Sequence, residues 1–229
     1  MFEIAHDIGV DGIWINGDFL DFYNVNSHGP KHPCVGTTLE DELSWGRMAL
    51  KEIRKMFPDI PIKYIYGNHE DRLERFIVQN CKQLFDSVKL HRLLGLKSLN
   101  IEWFPYNTRH RIEDTNLYLQ HSPPSYGKNG AMTSLEKDVD QSSIYGCTHR
   151  QQAAARTGKS GEQYYCYFNG WMGSTTRSRE HARVFSYAKG HESWQKCFAI
   201  VTTFGGVDFK VQQIEINNGK AFYGDSVYE

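Results

Sequence analysis

Metal-assisted or acid–base chemistry needs carboxylates, amides and imidazoles held at fixed spacing, and four groups of them stand out in the 229-residue chain. Asp18 and Asp21 lie in Gly17-Asp18-Phe19-Leu20-Asp21. Asn68, His69 and Glu70 follow Gly67, His121 stands by itself, and Thr148, His149 and Arg150 follow Gly146-Cys147. Oxygen and nitrogen donors of these types suit Zn, Mn or Fe. A glycine ahead of three of the groups lets the chain turn sharply without a Cβ clash. Any one group alone reads as an ordinary turn or a surface histidine. Four of them, each behind a strand, point to one site.

The elements that must hold these groups can be read from apolar spacing. Residues 1–8 read as the end of a helix stopped at Gly9, and residues 12–16 as a short apolar strand. Residues 23–36 form a loop rich in Gly, Pro, His and Asn. Its His28 is a candidate substrate contact at the mouth of the site, and His28 or His32 could assist a metal. Thr37 with Glu40 is a capping-box candidate, and Leu39, Leu43, Leu50, Ile53 and Phe57 then share one helical face up to Pro58. Residues 62–66 read as a strand and 70–79 as a helix. Residues 109–113 and 116–120 read as strands joined through Asp114 and Thr115, and 142–145 as another strand. From residue 151 the pattern is mostly extended (163–168, 196–203, 207–216 and 221–223), with hairpin turns at Gly205-Gly206 and Asn218-Gly219. Each polar group therefore follows a strand, and in open α/β sheets the carboxyl ends of strands line one crevice. No repeat or linker divides the chain, so a single domain over 1–229 is expected, βα-like first and β-rich last, with sheet packed on sheet.

In this order the motifs resemble those of the calcineurin-like metallophosphoesterases, of phage or bacterial type. That family's signature runs Asp-x-His, Gly-Asp-x-x-Asp, Gly-Asn-His-Glu or -Asp, a lone His, then Gly-His-x-His. Residues 17–21 and 67–70 match without substitution, His121 stands where the lone His belongs, and Gly146-Cys147-Thr148-His149 matches except at Cys147. The resemblance covers nearly the whole chain. It implies an α/β fold of two mixed β-sheets packed as a sandwich and flanked by helices, four layers in all. It also implies that Asp18 bridges two metals, with Asn68 and His121 on the second and His149 on the first. His69 would be the general acid or a phosphate-stabilising donor oriented by Asp21, and Arg72 and Arg150 would bind phosphate oxygens through guanidinium forks. Two ions about 3.5–4 Å apart make a hydroxide near neutral pH and neutralise charge on an in-line transition state.

Two departures shape the expectation. No Asp-x-His precedes Gly17; the chain reads as starting inside the helix that follows that motif's strand, so the N-terminal strand and two ligands of the first metal are missing. Cys147 replaces the histidine that would complete the second metal. A thiolate binds zinc, whereas a neutral thiol is a poor ligand for Mn or Mg; the other reading of Cys147 is a small buried hydrophobe. The function implied is metal-dependent hydrolysis of phosphomonoesters or phosphodiesters, the substrate being a nucleic acid, a nucleotide or a phosphoprotein. The alternative is a catalytically inactive module of the same fold that binds phosphate or nucleic acid. His6-Asp7 spells the dipeptide of the all-helical HD-type phosphohydrolases, which the strand-rich remainder disfavours.

Composition narrows the classes further. Lysine plus arginine (26) against aspartate plus glutamate (27) gives a net charge of −1, which argues against a dedicated polyanion binder and leaves room only for a local basic face. With 40% hydrophobic and 23% charged residues the chain can bury a core. Its longest apolar runs are five residues, too short for a membrane span. No basic-then-apolar leader begins it, and its five cysteines include no C-x-x-C pair. Reduced thiols and a cytoplasmic location, the host's if phage-encoded, are expected.

Overall fold

The architecture is α/β, and contacts divide it into two compact units, Ala5–Thr108 and Met1–Ile4 with Arg109–Glu229. The structure, a computed structural model, describes residues 1–25, 38–138, 140–173 and 193–229.

The first unit is a parallel sheet with its connecting helices. Helix α1 (Phe2–Ile8) stops at Gly9, whose φ of +64° only glycine adopts without strain. Strand β1 (Ile13–Asn16) leads toward α2 (Leu39–Met56), β2 (Ile62–Ile65), α3 (Glu70–Asn80), the single turn α4 (Leu90–Leu93) and β3 (Ile101–Phe104). The sheet order is β1-β2-β3, all parallel, with Ile13 opposite Ile62 and Ile62 opposite Ile101. Helix α2 buries Leu43, Leu50 and Ile53 as its spacing requires. Its buried Gly46 has the Leu20 methyls 3.0 Å from where a Cβ would stand. The capping box is one residue later than expected. Thr38 Oγ1 accepts from Asp41 N (3.1 Å) and Asp41 Oδ2 from Thr38 N (2.8 Å). Both Thr-x-x-acid pairs have the right spacing, and the apolar face alone does not separate them. Thr37 lies outside the described residues.

The second unit holds two sheets. Strands β4 (His110–Arg111), β5 (Leu117–Gln120), β6 (Ser142–Tyr145), β7 (Gln152–Thr157) and β8 (Gln163–Phe168) form a mixed sheet in the order β4-β5-β6-β8-β7. Its three central strands are parallel, and both edge strands run against them. Helix α5 (Gly130–Lys137) covers this sheet: Ala131 and Leu135 pack with Tyr145, Tyr164, Cys166 and Phe168. Sequence reasoning missed α5 because Gly130, Thr133 and Ser134 are poor helix formers; burial against Phe168 overrides propensity. Beneath the sheet, Asp138 accepts from Ser143 Oγ (3.2 Å) and the Tyr145 hydroxyl, with Arg109 Nη1 at 3.4 Å. Strands β9 (Cys197–Thr203), β10 (Phe209–Asn217), β11 (Lys220–Tyr223) and β12 (Ser226–Tyr228) form an antiparallel sheet in the order β12-β11-β10-β9. Gly205 and Gly206, then Asn218 and Gly219, turn its hairpins with positive φ as expected. Gln213 of β10 donates to the carbonyl of Phe168 at the end of β8 (2.7 Å). No helix among the described residues is long and apolar enough to cross a membrane.

Candidate active site

In the first unit, β1 and β2 are adjacent and parallel, so the chain leaves both at the same end. The two exits touch. A Cβ on Gly67 would collide with the Asp18 carboxylate and backbone nitrogen, so only glycine permits this approach, and Asp18 itself sits in the left-handed region at φ +51°. Glu70, fully buried, fastens the two loops together. Its Oε2 accepts from Asp18 N (2.8 Å) and Gly67 N (2.7 Å), and its Oε1 from Leu20 N (3.0 Å) and the Tyr64 hydroxyl (2.7 Å). Burial and the adjacent Glu70 charge push the Tyr64 hydroxyl well up, which keeps it protonated as a donor. The sequence reading has Glu70 only as the last residue of its motif and Tyr64 only as part of a strand, and assigns neither a role.

His69 stands between the two aspartates. Its backbone N–H donates to Asp18 Oδ1 (3.0 Å), its Nδ1 lies 2.8 Å from Asp21 Oδ1, and its Nε2 lies 3.7 Å from Asp18 Oδ2. With Nδ1 held by Asp21, Nε2 is the nitrogen turned toward Asp18. Arg72 holds Asp21 in turn, through Nη1 to its carbonyl (2.8 Å) and its carboxylate (3.4 Å). The Arg72 side chain is only 12% exposed, so in this structure it is first of all the orienting group of Asp21. Asn68 is half-buried between Gly67 and His69, and its carbonyl accepts from Arg75 at 3.4 Å.

Glu42 of α2 underlies this loop and accepts from Phe22 N (2.6 Å). Burial pushes its carboxyl up to about 7 from the ordinary 4.5, with the Asp21 charge adding and hydrogen bonds from the Phe22 and Asp21 backbone opposing. The folded state therefore holds this proton more tightly than the unfolded chain does. The stabilisation is complete below the unfolded value and is lost as pH rises through about 7. Glu42→Gln, which keeps an acceptor for Phe22 N, should remove that dependence. Relative to the variant, the native chain is expected to lose up to about 3 kcal/mol between acid and mildly alkaline pH. Urea midpoints of both chains across this range check it, and parallel curves would refute it.

In the second unit, β5 and β6 are likewise adjacent and parallel, and Gly146 N donates to the carbonyl of His121 (3.0 Å), tying their exits together. His121 is buried; Cys147 and His149 are half-buried. Cys147 and His149 both have φ +58°, a conformation uncommon for any residue but glycine and one in which Asn, Asp and His are enriched but Cys is not. A tight turn with Thr148 N on the carbonyl of Gly146 (2.6 Å) produces it. Strain of this kind clusters where a side chain must be aimed. Cys166 and Cys197 are fully buried, and burial pushes their thiols up to about 12 and about 11. Cys81, Cys147, Cys166 and Cys197 form no disulfide with one another. Arg150 is half-buried, with its Nε on Ser193 Oγ at 3.2 Å. Trp194 packs edge-on against the His149 ring at 4.1 Å, a neighbour with no signal in the sequence motifs. His28 falls outside the described residues, as do Lys31 and His32.

Within each unit, then, the candidates from consecutive motifs meet: Asp18, Asp21, His69 and Arg72 in one, the exits carrying His121, Cys147 and His149 in the other. Three of the five candidate ligands, Asp18, Cys147 and His149, are held in left-handed backbone. Carboxylate, amide and imidazole are donors that suit Zn, Mn or Fe, and a thiolate suits Zn. Comparison with protein-family models and with curated proteins gives no match for this chain.

Proposed function

We propose that the chain is a metal-dependent phosphoesterase, a hydrolase of phosphomonoesters or phosphodiesters. The ligands that the motif resemblance implies for it are Asp18, Asn68, His121, Cys147 and His149. The finer architecture, two mixed sheets packed as a four-layered sandwich, belongs to the same reading. The observation that carries it is the ordered series Arg72–Asp21–His69 ending beside the Asp18 carboxylate, with Nδ1 of His69 at 2.8 Å from Asp21. A bound metal supplies an activated water and neutralises charge on the phosphoryl oxygens. The chain's own part is proton management and orientation. As the imidazolium, His69 donates from Nδ1 to Asp21 and from Nε2 to the leaving oxygen; Asp21 orients the ring and stabilises that cation, Arg72 fixes Asp21, and the Arg150 guanidinium receives a phosphate oxygen.

One feature favours the second reading, an inactive module binding phosphate or nucleic acid: Cys147 stands where a nitrogen ligand would complete a second metal. The ligand count gives the test. Asp18, Asn68 and His121 make one competent site, whereas Asp18 and His149 alone make a weak one, so about one metal equivalent should survive dialysis and Asp18→Ala should remove it. Manganese-dependent hydrolysis of an aryl phosphate should fall with that metal. Two tightly held equivalents, or an Asp18→Ala variant that keeps both metal and turnover, would overturn the ligand assignment. Phosphate binding without turnover under Mn, Zn and Fe would select the inactive module.

A further inference from the structure

Strand β8 is parallel to β6, so its exit emerges at the same end of the sheet as those of β5 and β6. That exit runs Asn169-Gly170-Trp171. Trp171 N donates to the carbonyl of Gln195 (2.7 Å), and Gln195 N donates to the carbonyl of His149 (3.0 Å). The three segments close because position 170 is glycine; a Cβ there would collide with the Gln195 carbonyl. Trp194, the residue before Gln195, is thereby placed next to both Trp171 and His149. Its ring meets that of His149 at 4.1 Å and 82°, and that of Trp171 at 5.3 Å and 62°.

These indoles do not belong to the unit's helix-covered core, which is built from Ala131, Leu135, Tyr145, Tyr164, Cys166 and Phe168. Both are half-buried and keep part of their surface in solvent. Cations flank them. Lys196 Nζ stands 6.0 Å from the Trp171 ring, and Arg150 is fixed on Ser193, one residue from Trp194. Two partly exposed indoles beside cations are the elements by which proteins hold a base by its face and its phosphate by charge.

We propose that Trp171 and Trp194 form a stacking platform for a nucleobase beside His149, with Arg150 and Lys196 on its phosphate, so that the phosphoester served by this site is a nucleotide or a short single strand. The inference rests on the reading of His149 as part of the phosphoesterase centre. With a net charge of −1 the chain lacks the long-range field that captures polyanions. Recognition has to come from the flat faces, which a phosphorylated protein side chain other than an aromatic one does not offer.

The test is binding to the full chain in chelator, where no turnover occurs, followed by calorimetry. A nucleoside monophosphate is expected to bind at least about 10-fold more tightly than ribose 5-phosphate, as stacking of a single base provides. Trp171→Ala and Trp194→Ala should each lower nucleotide affinity by about 10-fold while leaving inorganic phosphate affinity unchanged, and Trp→Phe should restore most of the loss. Melting curves of each variant establish that it is folded, and the Phe variants carry the test if an Ala variant is not. Affinity that climbs from mononucleotide to tetranucleotide identifies a strand as the source; equal affinity identifies a nucleotide. Equal binding of nucleotide and ribose phosphate, tighter binding of a phosphoserine peptide, or indifference to both tryptophans would overturn the proposal. Base-selective binding without hydrolysis would leave this inference standing and remove the hydrolase reading, whereas hydrolysis with no base preference would do the opposite.

Discussion

Replacing His69 by Asn is expected to lower metal-dependent hydrolysis of an alkyl phosphate by about 10²–10⁴-fold, the usual worth of a placed general acid. The imidazole is singled out because both its nitrogens have carboxylate neighbours, Asp21 at 2.8 Å and Asp18 at 3.7 Å, and because its backbone N–H separately supports Asp18 at 3.0 Å. The substitution leaves that backbone bond in place, so metal content and KM should change little while kcat falls. The leaving group then divides the two roles open to His69. A nitrophenolate departs without protonation, so a general acid contributes little there and the loss should shrink toward unity. A donor that stabilises the phosphoryl oxygens is needed for both substrates, and the loss would be the same for each. Asp21→Asn, which keeps the shape but no longer stabilises the imidazolium, should reproduce the pattern in weaker form. A His69→Asn enzyme unaffected on either substrate would remove His69 from the chemistry.

Glu70→Ala should be the most destabilising single change in the first unit, whatever that unit does. It would strand the N–H groups of Asp18, Leu20 and Gly67 and the hydroxyl of Tyr64 in a dry interior. Each orphaned donor costs about 1–3 kcal/mol, and even with partial relaxation the total should reach about 4 kcal/mol. That is a large fraction of a typical domain's stability of about 5–15 kcal/mol. Tyr64→Phe removes one donor together with its need for a partner and should cost only about 1 kcal/mol. Urea midpoints measure both, and amide exchange at Asp18, Leu20 and Gly67 should accelerate in Glu70→Ala before exchange elsewhere does. A loss below about 1 kcal/mol would mean that water or another side chain replaces the carboxylate.

Much of this arrangement was legible in the sequence for a plain reason. Strands β1, β2, β5, β6 and β8 announce themselves by short apolar runs, and parallel neighbours necessarily deliver their exit loops to one end of a sheet. Asp18, Asp21 and His69 were thus identifiable by type and position, and the Asp21–His69 contact is present. The contacts that escaped join residues that no local pattern connects. Glu42, in the first turn of α2 with Glu40 and Asp41, carries no signal of its own in the sequence, yet it is buried and accepts from Phe22 N. Glu70 reads only as the last residue of its motif, yet it accepts four bonds from three segments. Arg72 reads as a phosphate ligand, but its guanidinium is bound to Asp21. Strand β3 escaped because Ile101-Glu102-Trp103-Phe104 lacks the alternation that marks a half-buried strand, and Trp194 because only the Gln195 backbone brings it to His149.

The Glu70 clasp also sets when the first unit's chemistry can come into being. Its bonds to Asp18 and Leu20 join residues 52 and 50 positions apart. Closing so long a loop yields nothing until α2 has packed and β2 has zipped onto β1, and non-local contacts of this kind are the slow part of folding. No fragment ending before the first turn of α3 contains the carboxylate that closes the two loops. During synthesis at about 5–20 residues per second, several seconds pass between the appearance of Asp18 and that of Glu70. Throughout that interval the aspartate has neither its left-handed turn locked nor His69 beside it. The ordered site is a product of the completed unit, so refolding followed at Asp18 should trace the same single phase as refolding followed at the sheet.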